Sequence, residues 1–139
     1  MGYSLAMIFK TIKKILLSFL LKIFTALFIV SINLFANFFG VLWLIPIICF
    51  VINYIFFRNS DIITVICSWM GSLLPFFVFV IYMYNKNSSL GIALVGMLHL
   101  YTFTISDFIY IIFKMIKKAI NNNHGKTGDG SEGNQGTVL

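Results

Sequence analysis

The sequence predicts an all-α integral membrane protein with four transmembrane helices and both termini on the cytoplasmic side. Three observations lead to that fold. Of 139 residues, 60% are hydrophobic and only 10% charged, whereas a soluble domain carries about a quarter charged residues to cover its surface. Between Ile15 and Phe113 the only charges are Lys22, Arg58, Asp61, Lys86 and Asp107. The cations cluster beside apolar runs, as anionic headgroups and the positive-inside rule require.

The elements follow from the length of a crossing, about 20 mainly apolar residues. Residues 24–57 hold no charge, which is too long for one span. Two crossings result if the first begins upstream and absorbs Lys22, with the turn at Asn37 to Gly40, where a polar residue and a helix breaker interrupt the run. The expected spans are 16–36, 39–57, 62–84 and 90–113, separated by Arg58-Asn59-Ser60-Asp61 and by Asn85-Lys86-Asn87-Ser88-Ser89. This count puts Lys10, Lys13, Lys14, Arg58, Lys114, Lys117, Lys118 and Lys126 inside and Lys86 alone outside. A three-span reading would move Arg58 and the Lys114–Lys118 cluster outside, against the charge rule.

Three regions result. Residues 1–14 form a cytoplasmic amphipathic segment, with Leu5, Ile8, Phe9 and Ile12 at near-helical spacing beside the lysines. Residues 15–113 form the four-helix transmembrane domain. Residues 114–139 form a basic juxtamembrane stretch and, from Asn121 onward, a Gly- and Asn-rich tail too polar to order itself. Pro46 and Pro75 are expected to kink spans two and three.

The polar residues inside the spans are the candidate functional groups. Lys22 lies eight residues past Lys14 and Asp107 seven before Lys114, which is about 12 and 10 Å of helix and therefore similar depth. A carboxylate there is stabilised by a lysine partner, so an intramembrane charge pair is expected. Ser18, Thr25 and Asn33 share a stripe with Lys22 on span one; His99, Thr102 and Ser106 form a second stripe on span four. Ser68, Gly71 and Ser72 on span three are small residues of the kind that let membrane helices approach closely.

These features exclude more functions than they select. The net charge of +6 sits where lipid headgroups would meet it, so nucleic acid is not an expected partner. No catalytic constellation assembles from the four acidic residues Asp61, Asp107, Asp129 and Glu132, and neither cysteine, Cys49 nor Cys67, stands in a metal-ligand cluster. The expectation is a non-enzyme without cofactor. Its partners would be anionic lipid headgroups, another integral membrane protein, or a second copy of the chain in a homo-oligomer. Richness in Phe, Ile, Asn and Lys suggests an AT-rich coding sequence and a bacterial inner membrane. Small four-span proteins of that setting act in immunity to pore-forming toxins or in the exclusion of conjugative plasmids. The alternative is a pore-forming, holin-like protein or a subunit of a transporter or secretion complex, with Lys22, His99, Thr102, Ser106 and Asp107 lining the channel.

Overall fold

The computed structural model describes residues 4–37 and 39–126. Helix α1 (Leu5–Ala36) is followed by a 3-10 segment (Phe39–Trp43), α2 (Leu44–Phe57), α3 (Ile62–Asn85) and α4 (Ser89–His99). A π-helical stretch (Leu100–Ile105) then runs directly into α5 (Ser106–Lys126). Four helical stretches are long and apolar enough to cross a membrane: Leu5–Ala36, Phe39–Phe57, Ile62–Asn85 and Ser89–Gly125.

The turns stand where polar residues interrupt the apolar runs. Asn37 ends α1 in the left-handed region at φ 52°, donating its N–H to the carbonyl of Asn33; asparagine tolerates this conformation better than the apolar residues around it. At the next turn on the same end, Ser88 Oγ accepts the N–H of Gly91 at 3.2 Å and so caps α4. A Cβ at Gly91 would stand 2.8 Å from Ser88 Oγ and 3.1 Å from Met83 Sδ, so a side chain there would make both groups shift.

Two boundaries differ from the sequence expectation. The amphipathic segment and span one form one unbroken helix of 32 residues, about 48 Å long against a hydrocarbon core of about 30 Å. Residues 121–126, expected in a disordered tail, are helical. Extending an existing helix costs far less than starting one, so α5 continues through the asparagines. The rest of that tail, 127–139, lies outside the described residues. Pro46 falls in the first turn of α2, just after the 3-10 segment, where its missing N–H matters little; Pro75 lies inside α3.

The interior is layered. Nearest the end carrying Lys14, Arg58 and Lys114, the basic end, Phe57, Val65 and Tyr110 form an apolar cluster with Ile15 and Phe50 packed on it. Farther along, Ala26, Ile29, Ile45 and Cys49 form a second cluster, flanked by Leu98 and Tyr101. Between the two lies a polar layer of Ser18, Lys22, Asn53, Thr102, Ser106 and Asp107, all buried. On α1 the inward positions Ile15, Ser18, Lys22, Ala26 and Ile29 recur every three or four residues, the repeat of one helix face. Large apolar side chains such as Phe24, Phe28, Ile63 and Leu74 point outward, the arrangement of a bundle whose solvent is lipid.

Span four is the hub. The α1–α2 pair packs on its π-helical stretch, α2 continues along α5, and α3 packs mainly on α4 and α5, meeting α2 only near the basic end through Val65 and Phe57. A groove therefore separates α1 from α3.

Candidate functional site

The polar layer is centred on Asp107, in the first turn of α5 just past the π-helical stretch. Lys22 Nζ donates to Asp107 Oδ1 at 2.7 Å, and Asn53 Nδ2 donates to the same oxygen at 2.6 Å. Lys22 and Asp107 are each 1% exposed and Asn53 fully buried, so one carboxylate oxygen joins spans one, two and four away from solvent. The ammonium also lies 5.3 Å from the centre of the Phe103 ring, which stacks on Phe19 at 5.1 Å. That aromatic face replaces part of the hydration the cation lacks. Asp107 Oδ2, Asn53 Oδ1 and Ser18 Oγ are buried without a hydrogen-bond partner in the protein.

The π-helical stretch explains how span four serves this layer. Eight residues of regular α-helix would set Asp107 about 80° around the axis from His99. A π-helix has more residues per turn and reduces that offset. Both residues then point into the bundle, His99 toward α3 and Asp107 toward α1 and α2. Within the stretch, Thr102 Oγ1 donates to the Leu98 carbonyl and Ser106 Oγ to the Thr102 carbonyl, each at 2.5 Å. Their hydroxyls thus serve their own helix rather than a neighbouring one.

His99 links span four to α3. Its Nε2 lies 3.3 Å from the Ser72 carbonyl and 3.5 Å from the Ser72 hydroxyl, and its ring packs on Phe76 at 4.3 Å and Phe103 at 5.2 Å. These residues floor the α1–α3 groove, a cavity of about 330 Å³ walled by Phe19, Ile23 and Leu27 of α1 and by Pro75, Phe76 and Phe79 of α3. The groove is apolar apart from His99, Ser72 and Thr102 at its base.

Of the other residues singled out by sequence, Thr25 and Asn33 are half-buried, and Asn33 Oδ1 has no partner. The three-residue face on span three is split. Ser68 and Ser72, one turn apart, face the bundle, while Gly71 points away from it with nothing within 4 Å of where a Cβ would stand. Gly71 lies at one edge of the i, i+3, i+4 set and Ser72 at the other, about 100° apart, so the bundle covers the two serines and leaves the glycine uncovered. Lys22, Thr102, Ser106 and Asp107, expected to line a channel in the pore-forming alternative, are each no more than 1% exposed. Asn53 is the residue the sequence reading missed. It lies five residues before Arg58, about 7.5 Å of helix and so near the depth of the pair.

Among the described residues no three His, Cys, Asp or Glu side chains come together as a metal site would require. No protein family, curated protein or solved structure matches this chain.

Proposed function

We propose that this chain is a non-enzymatic protein of a bacterial inner membrane, with both termini in the cytoplasm, that recognises another membrane protein through its helices. One transmembrane helix of the partner packs into the groove between α1 and α3. The observation carrying this reading is the groove itself, apolar along its walls and bearing only His99, Ser72 and Thr102 at its base. Membrane helices associate through close packing plus a few interhelical hydrogen bonds. The walls offer the packing, and half-buried His99 is the polar group left at the base, since the Ser72 and Thr102 hydroxyls donate within their own helices. The Lys22–Asp107–Asn53 contacts tie α1 to span four, while α3 packs mainly on span four and meets α2 only near the basic end, through Val65 and Phe57, which leaves it room to adjust to the incoming helix. Size and span number favour a role in immunity to a pore-forming toxin or in plasmid exclusion.

The test is expression in a sensitive host exposed to membrane-active toxins or to an incoming conjugative plasmid, with membrane potential recorded. Protection with an intact potential is the expected result. A Ser72→Phe variant that still inserts fills the groove and is expected to lose protection. Collapse of the potential on expression would contradict this reading and favour the pore former.

A further inference from the structure

The basic end holds a second cavity, about 530 Å³, that the groove and the polar layer do not use. Four cations line it: Arg58 after α2, and Lys114, Lys117 and Lys118 on α5. Asn121 and Asn122 add amide donors, and Ile62 and Ile63 bring the first turn of α3 to its wall. Asp61 is the one carboxylate present, and its side chain does not cap α3. In that first turn the Thr64 N–H already donates to the Asp61 carbonyl, so the amides of Ile62 and Ile63 are those left for an anion, and the helix dipole adds to the attraction. Lys114 Nζ donates to the Ser60 carbonyl, fixing α5 against the joint and placing one ammonium at the pocket wall.

We propose that this pocket binds the phosphodiester headgroup of an anionic phospholipid. A phosphate takes several charge-assisted hydrogen bonds, and four cations beside a helix N-terminus supply them. The lipid, rather than a soluble phosphate, is favoured by what adjoins the cavity. Ile63, Ile66 and Met70 continue from the α3 wall as an exposed apolar face along which acyl chains would lie. Basic pockets between spans at the end of a bundle are where such headgroups dock. The proposal rests on the membrane-spanning reading but not on the partner helix, so either can fail alone.

The experiment uses the full chain in detergent, titrated with phosphatidylglycerol or phosphatidylcholine and read by native mass spectrometry. A Lys117→Gln/Lys118→Gln variant is expected to bind phosphatidylglycerol roughly 30-fold more weakly. A Lys10→Gln/Lys13→Gln variant, equal in charge but on residues that do not line the pocket, should bind within about twofold of the parent chain, since exposed charges that touch no ligand are largely screened. Circular dichroism verifies that both variants stay helical. Equal losses in the two variants would reduce the effect to net charge and overturn the site, as would equal affinity for phosphatidylcholine. Displacement of the lipid by inorganic phosphate at matching concentration would overturn the lipid assignment.

Discussion

At the scale of single residues, the structure turns on one carboxylate oxygen shared by Lys22 and Asn53. Removing one member of a buried ion pair leaves the other charge uncompensated, at a cost of about 3 to 5 kcal/mol. Lys22→Leu and Asp107→Leu are each expected to lower stability by that order, measured by denaturant unfolding in detergent micelles. The double variant Lys22→Leu/Asp107→Leu should recover most of the loss, because an apolar pair of similar volume can replace a buried ion pair. Additive losses would show that the two side chains act independently. Asn53→Leu removes one of two hydrogen bonds to Asp107 and should cost about 1 to 3 kcal/mol. Lys22 and Asp107 were legible in the sequence because charges are rare in an apolar run and their depths match. Asn53 was not, because an uncharged amide does not interrupt the charge pattern that marks the other two.

At the scale of elements, the π-helical stretch Leu100–Ile105 sets which residues of span four face which neighbour. One alanine inserted between Ile105 and Ser106 would turn Asp107 about 100° about the helix axis, away from Lys22 and Asn53. The insertion is expected to destabilise the protein as much as Asp107→Leu does. The same insertion between Lys86 and Asn87, in the loop before α4, should have little effect. Comparable damage from both would mean that the register of span four is not what matters. The stretch could not be foreseen from its residues: Leu100-Tyr101-Thr102-Phe103-Thr104-Ile105 contains no glycine or proline to mark a change of helix type. The turns were legible for the opposite reason, since Asn37 and the Asn85–Ser89 loop interrupt otherwise apolar runs. Of the small residues of span three, Ser68 and Ser72 face the bundle and Gly71 does not, a division set by angular position that residue type alone does not carry.

At the scale of the whole molecule, four helices are long and apolar enough to cross a membrane, and the placing of the cations along the chain carries the proposed orientation. Topology reporters fused after Ser60 and after Gly125 are expected to read cytoplasmic, and one fused after Lys86 periplasmic; a cytoplasmic signal at Lys86 would refute the orientation. The groove was not legible, because it arises from helices that fail to touch, and no residue pattern on α1 or α3 announces that gap. It is nevertheless where recognition is proposed to occur. The most direct test is photo-crosslinking in the cells that make the protein. A photoreactive residue at Ile23 or Phe76, in the groove, should trap one discrete membrane protein. Placed at Phe28 or Phe77, exposed on the lipid-facing side, it should trap none. The same adduct from all four positions, or an adduct only from the lipid-facing pair, would contradict recognition through the α1–α3 groove.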